Sequence, residues 1–195
     1  GFGKIEDIRQ FGRYGVNSFD TTAPLMRAFK DAKKNYFVTD GKDLNHFTAI
    51  RIPQALTNTK LKQRAREGRL NQEQSKKLEA AALSAVRRYA VRKLNIEATL
   101  EAIMNYWDAL NWHADGKAPS AKSRVNQREV YRKTLTARPW ELCKCRVCKE
   151  GGIEALIFRS SNRNKRRGFH NMYVFNQHLM SQGIVYEHQF KKAQL

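Results

Sequence analysis

Cys143-Lys144-Cys145-Arg146-Val147-Cys148 holds all three cysteines of the chain, and the reading of the fold turns on it. An odd, clustered count argues against a disulfide framework. Cys143 and Cys145 lie too close along the chain to bridge each other easily, whereas three thiolates converging on one cation require just such a tight turn. Zinc suits the donors, since it accepts tetrahedral sulfur and nitrogen ligands, and Lys144, Arg146 and Lys149 offset the thiolate charge. A closed site needs a fourth ligand. Of His170, His178 and His188, His170 is chosen because it opens the helical stretch Phe169–Met180 and can project beside the cysteine turn. His178 is expected on the helix surface and His188 in a frayed tail. The competing reading is three reduced thiols in a core.

Between the cysteines and His170, Ile153–Phe158 is apolar enough for a buried strand. The following Arg159-Ser-Ser-Asn-Arg-Asn-Lys-Arg-Arg167 reads as a basic loop held by the metal-pinned base. Its Arg159, Arg163, Lys165, Arg166 and Arg167 are expected to contact phosphates, with Asn162 and Asn164 adding hydrogen bonds. Upstream, Gln54 to about Arg138 has a helical character. Leu78, Leu83, Val86, Ala90 and Leu94 form one apolar stripe and Ile96, Leu100, Ile103, Met104 and Trp107 a second, which predicts two packed helices. Residues 60–93 carry eleven basic side chains against Glu67, Glu73 and Glu79, a local charge of +8. Such a run is usually a solvated face, but its density makes Arg87 and Arg88 further candidates for nucleic acid. Ala114–Ser120 reads as a linker, and Arg124–Arg138 as a helix ending before Pro139.

The first 53 residues alternate quickly. Ile8 and Phe11 fall at helical spacing within Glu6–Phe11, Val16–Asp20 alternates like a strand, and Thr21-Thr-Ala-Pro24 offers a hydroxyl cap and a first-turn proline for a helix to about Lys34. Tyr36–Val38 and Phe47–Ile52 read as strands around an Asp40-Gly41 turn. Such compression suits βα units, where strand ends deliver chemistry. On spacing alone, Asp20 is a helix cap.

Composition bounds the function. The 195 residues carry 37 Lys+Arg against 18 Asp+Glu, a net charge of +19, so nucleic acid is the first partner to consider and an anionic membrane surface the second. Ala80–Val86 and Ile153–Phe158, the longest apolar stretches, fall far short of the roughly 20 residues of a spanning helix, so a membrane-spanning protein is ruled out. With 10% aromatics the chain can build a core rather than remain disordered. It opens Gly-Phe-Gly rather than with Met and with no signal peptide, so its first residue is expected to be either an appended residue or the cut edge of something longer.

Taken in order, Gly1-Phe-Gly3, Tyr14-Gly-Val-Asn-Ser-Phe-Asp20, Pro24, the Cys-x-Cys-x-x-Cys cluster and His170-Asn171 resemble the C-terminal half of tRNA-guanine transglycosylases. Ser18-Phe-Asp-Thr-Thr22, Ala49-Ile-Arg-Ile-Pro-Gln54, the helical insert and Arg163–Arg167 leading into Gly168–Phe175 look closer to the branch that places 7-deazaguanine in DNA.

The resemblance implies an α/β fold: the C-terminal part of a (β/α)8 barrel with a helical insertion and a zinc-binding subdomain, this segment being mostly helical. Residues 1–53 would supply the last βα units, 54–138 the basic insertion, and 139–195 the zinc subdomain with its basic loop and C-terminal helix. It implies a cytoplasmic pentosyltransferase of a bacterial or phage-infected cell, exchanging guanine in DNA for a free 7-deazaguanine such as the 7-cyano form. Asp20 would be the nucleophile, and structural zinc would be held by Cys143, Cys145, Cys148 and His170. Exchange in tRNA, or a non-catalytic zinc-stabilised nucleic-acid-binding module, are the alternatives. Departures are also expected: strand and turn after the cysteines instead of the tRNA enzymes' helix, and no counterpart of the family's general acid/base or guanine-recognition residues. The isolated segment should therefore be inactive.

Overall fold

A computed structural model describes residue 14 and residues 20–68, 71–111 and 119–182. The helix expected at Glu6–Phe11, the strand at Val16–Asp20 apart from Asp20, most of the Ala114–Ser120 linker, and His188 lie outside the described residues.

Helix α1 spans Ala23–Lys30 with Pro24 in its first turn, where a missing N–H costs nothing. The Ala23 N–H donates to the Thr21 hydroxyl at 3.1 Å. The helix stops four residues before the expected Lys34, because the Asp31 carboxylate captures the amides of Lys33 and Lys34, both at 2.8 Å. Strands β1 (Tyr36–Thr39) and β2 (Leu44–Phe47) form an antiparallel hairpin, Tyr36 opposite Phe47 and Thr39 opposite Leu44. Its turn uses Asp40 as acceptor for the amides of Lys42 and Asp43, with Gly41 at φ +94°, a conformation that favours glycine.

The strand expected at Phe47–Ile52 is broken at Thr48 and Ala49. Thr48 Oγ1 donates to the Lys33 carbonyl at 2.6 Å, and the Ala49 N–H donates to Asn35 Oδ1 at 2.7 Å, so both residues leave the ladder. The chain resumes as β3 (Ile50–Arg51), parallel to β4 (Ile157–Phe158). Among the described residues these two-stranded sheets are the β structure, and the fold is mostly helical, as expected.

The helical stretch consists of α2 (Thr59–Arg66), α3 (Gln72–Ala90), α4 (Ile96–Asn111) and α5 (Ala121–Ala137). Asn58, Asn71 and Ser120 cap the starts of α2, α3 and α5 by accepting amide N–H groups. The two predicted stripes meet: Leu83 and Val86 of α3 and Leu100, Ile103, Met104 and Trp107 of α4 belong to one buried cluster, with Leu78 packed at its edge. Arg138, in the left-handed region at φ 45°, separates α5 from α6 (Pro139–Leu142). Its guanidinium donates to the carbonyls of Tyr89 at 3.3 Å and Ala90 at 2.6 Å, closing the C-terminal end of α3.

Two expectations near the cysteines are corrected. Ile153–Phe158 is not a strand throughout: Gly152–Leu156 is a 3-10 turn, and pairing is confined to Ile157–Phe158. Beyond α7 (Arg146–Gly151), the predicted basic loop forms the first turns of α8, Ser161–Ser181, so His170 lies mid-helix rather than at its start. The buried positions Asn164, Arg167, Gly168, Asn171, Val174, Phe175 and His178 recur with helical spacing. That face packs on α1 and β1.

Candidate metal centre

Three segments bring the four donors together. Cys143 follows α6, Cys145 caps α7 (Arg146–Gly151), Cys148 lies one turn into α7, and His170 projects from α8. The tight turn is made by the sulfurs themselves: Cys143 Sγ accepts the Cys145 N–H at 3.5 Å, and Cys145 Sγ accepts the Cys148 N–H at 3.4 Å.

His170 Nδ1 lies 3.4 Å from the sulfurs of Cys143 and Cys145 and 3.3 Å from that of Cys148. All four donor atoms fall within 4.8 Å of one another. A tetrahedral zinc with ordinary bond lengths separates sulfur from nitrogen by about 3.5 Å and sulfur from sulfur by about 3.8 Å. The donors thus fit a tetrahedral ion, and the cluster could hold one, consistent with zinc.

The surroundings settle which imidazole nitrogen faces the sulfurs. Nε2 lies 2.9 Å from the Phe37 carbonyl, which only accepts, so Nε2 carries the proton and the Nδ1 lone pair points at the thiols. Tyr36 stacks on the imidazole with ring centroids 4.0 Å apart, and its hydroxyl lies 3.0 Å from Cys148 Sγ. Burial pushes the Tyr36 phenol well above its ordinary range, so the hydroxyl stays protonated and donates to sulfur.

Asn171, fully buried, accepts the Phe37 N–H at 3.0 Å and donates to the carbonyls of Pro24 and Asn35, both at 3.1 Å. The three thiols cannot all ionise so close together. Cys145, accepting hydrogen bonds from Cys143 and Cys148, is drawn down into the thiolate form. Those same bonds to Cys145 push the Cys143 thiol up to about 11, and hydrogen bonds with Cys143 and Cys145 push Cys148 up. A divalent cation would replace the shared protons and satisfy all three sulfurs.

The remaining sequence candidates are dispersed. Asp20 is exposed at the entrance to α1, and the capping role its spacing suggested is taken by Thr21. Lys165 and Arg166 are exposed on α8. Arg87 pairs with Glu154 at 2.7 Å, Arg163 pairs with the same carboxylate, and Arg159 pairs with Glu79. Arg88 reaches the Lys93 carbonyl at 3.5 Å.

Arg167 is corrected from a surface contact to a core residue: it is fully buried, donates to the Ala28 carbonyl at 2.6 Å and Asn164 Oδ1 at 2.8 Å, and lies 4.8 Å over the Phe158 ring. Burial lowers its pKa to about 10. His178 is likewise buried, with Nδ1 3.4 Å from the Thr39 hydroxyl, because it continues the inward face of α8.

The supporting residues Tyr36, Phe37 and Asn35 escaped the sequence reading, since their roles depend on contacts across more than 100 residues. Asn171 carried one signal, its place immediately after the ligand histidine.

No family model matches this chain. Over 174 residues, 89% of its length, the chain is 38% identical to a Salmonella montevideo protein named DNA-guanine transglycosylase. It spans 39% of that relative's length. The similarity supports a transglycosylase relationship, and it covers α1, the helical stretch and the cysteine cluster together.

Proposed function

We propose that the intact protein is a DNA-guanine transglycosylase that replaces guanine with a 7-deazaguanine such as the 7-cyano form. One observation carries the reading: 38% identity to a protein of that name over nearly the whole chain. The Cys143, Cys145, Cys148 and His170 cluster is consistent with it as a zinc site. In the reaction, the Asp20 carboxylate attacks C1′ of the target deoxyribose as the bond to guanine N9 breaks, through an oxocarbenium-like transition state. Guanine leaves with its proton supplied by a general acid. The incoming base then attacks C1′ through N9, returns its N9 proton to the group that protonated guanine, expels the carboxylate and restores the nucleotide with the same configuration.

Exposure at the head of α1 supports this role for Asp20, since an attacking carboxylate must reach a sugar delivered from solvent. Cys143, Cys145, Cys148 and His170 would hold zinc with no position left open for substrate, so the ion would supply no chemistry and would tie α6, α7 and α8 together. Within this reading residues 1–53 complete the barrel, 54–138 form an inserted helical unit and 139–195 the zinc subdomain. Lys165 and Arg166, the two exposed cations of the first turns of α8, face the phosphates.

The test is to incubate the intact protein with labelled 7-cyano-7-deazaguanine and either duplex DNA or tRNA, then digest to nucleosides. Label in DNA alone is the expected result, and label in tRNA alone would move the enzyme to the other substrate. No label in either polymer, with salt-sensitive binding intact, would leave a binding module. Full-rate exchange by Asp20→Asn would overturn the nucleophile assignment.

A further inference from the structure

Several of the arginines that stand out in the sequence are engaged by the fold's own acids. Arg87 and Arg163 share Glu154, Arg159 pairs with Glu79, and Arg124, Arg128 and Arg132 bind Asp108, Glu101 and Glu97. A different cluster is not so engaged. Lys30, Lys33 and Lys34 at the C-terminal end of α1, with Arg51 from β3, form no ion pair among the described residues. The acid among them, Asp31, is turned onto the backbone amides of Lys33 and Lys34.

Four cations beside a helix C-terminus would ordinarily meet the negative end of its dipole, to the disadvantage of any anion. Here Arg167 lies beneath that end and donates to the Ala28 carbonyl, covering it with buried positive charge.

Lys30 and Arg51 border a cavity of about 350 Å³ between α1, the β3–β4 pair, α4 and α5. That volume is at the small end of ligand pockets, enough for one nucleotide base rather than a helix or peptide. Its wall carries half-buried aromatic rings from Phe29 and Phe158, and the Arg51 guanidinium lies 5.7 Å over the Phe158 ring. Opposite stand two amides, Asn111 and Gln127. Asn111 gives one N–H to the Trp107 carbonyl at 2.8 Å, leaving its oxygen and second N–H for another partner. An amide that donates and accepts side by side matches the donor–acceptor edge of a base, and ring and guanidinium faces suit base stacking. Cations beside the cavity, π surfaces on its wall and two amide edges, Asn111 exposed and Gln127 half-buried, are the elements of nucleotide binding, not of a lipid or peptide site.

We propose that this cavity binds an unstacked nucleotide of the DNA, its base on the Phe29, Phe158 and Arg51 surface against Asn111 and Gln127, and its phosphates on Lys30, Lys33 and Lys34. The proposal rests on the DNA reading above. It concerns a different nucleotide from the guanine undergoing exchange. The eight residues of α1 separate Asp20 from the cavity by about 12 Å, three to four base steps of a duplex. A base drawn out at that distance would hold the strand locally open while Asp20 meets its own target, sharing the cost of unstacking.

The experiment uses the intact protein and a guanine-containing duplex in which 2-aminopurine, bright when unstacked, is placed at successive positions. Brightening is expected at a position removed from the exchanged guanine. Arg51→Ala and Gln127→Leu should weaken it by about fivefold or more. Arg51→Lys, which keeps the charge without the planar stacking face, should fall between. Lys76→Ala, removing a cation on α3, should leave it unchanged. Replacing Lys30, Lys33 and Lys34 with Ala should reduce the salt dependence of binding by about 0.9 per lost phosphate contact.

Brightening that persists in both pocket variants, with melting curves like the parent's, would overturn the proposal, and so would a response to single-stranded RNA alone. Exchange activity separates the two readings. Exchange with a pocket-independent signal sinks the pocket and spares the enzyme. A pocket-dependent signal without exchange does the reverse.

Discussion

Asn171→Ala tests whether the metal centre and α1 are joined as the structure has them. The wild-type side chain satisfies three buried backbone groups, the Phe37 N–H and the Pro24 and Asn35 carbonyls, at 3.0 to 3.1 Å. Alanine removes all three partners at a position with no solvent exposure. Each orphaned backbone group costs about 1–3 kcal/mol, and a water entering the small void would recover part of it. The expected loss is therefore about 3–5 kcal/mol, a large fraction of the roughly 5–15 kcal/mol that holds a domain folded. Asn171→Asp keeps an acceptor for Phe37 but loses both donors and buries a carboxylate, so it should be at least as damaging. Asn176→Ala, exposed on the same helix, should stay within about 0.5 kcal/mol. Urea unfolding of zinc-loaded protein measures all three. A loss below about 1.5 kcal/mol in Asn171→Ala, with metal retained, would refute the claim that this side chain ties α8 to α1 and β1.

Three further outcomes are expected. Cys145→Ser should fall from about one equivalent of zinc to a small fraction of it and lose stability, and a chelator should lower the melting temperature of the parent but not of the variant; an unchanged parent would exclude a structural metal. Glu97 is held down at about 2 by hydrogen bonds from Arg132 and Arg128, so its contribution is complete above its unfolded value near 4.5 and lost as pH falls toward 2. Acid titration of Glu97→Gln should show a shallower decline across that window, and added salt should shrink the difference. Gly168→Ala gains roughly 1 kcal/mol of helix propensity, but its Cβ would fall 2.4 Å from Leu25 Cδ1. Overpacking of about 1–3 kcal/mol should win, and pairing the change with Leu25→Ala should recover part of the loss; simple additivity would show that the two side chains do not meet.

What was legible in the sequence follows from which forces write patterns into it. The apolar stripes of α3 and α4 were readable because their buried face is Leu, Ile, Val and Met at a 3.6-residue period. The donor set was readable because three cysteines within six residues serve few other purposes. The first turns of α8 read as a loop because their inward face is polar: Asn164 and Arg167 occupy positions where a hydrophobic pattern looks for leucine. The same blindness made Arg167 resemble a phosphate contact. Arg87, Arg159 and Arg163 were legible as cations but not as partners of Glu154 and Glu79, whose proximity depends on tertiary packing. The cluster around Lys30 and Arg51 escapes the sequence reading for the same reason, since α1 and β3 are brought to one cavity only by the fold.

The metal centre and the head of α1 are coupled through one residue's backbone. Phe37 lies opposite His46 in the hairpin, while its own N–H and C=O are taken by consecutive side chains of α8, Asn171 and His170. A helix thus closes a strand edge that would otherwise need another strand. Both bonds require α8 in one register against β1, and His170, one of the four candidate metal donors, supplies one of them, so a cation drawing His170 to the three sulfurs would fix that register. Asn171 carries the constraint onward to the Pro24 carbonyl, in the first turn of the helix that Asp20 precedes. Catalytic groups work within about 0.5 Å of their productive positions. On the proposed reading, a closed metal site with no chemistry of its own would therefore govern whether Asp20 reaches a sugar carbon, by deciding where α1 begins.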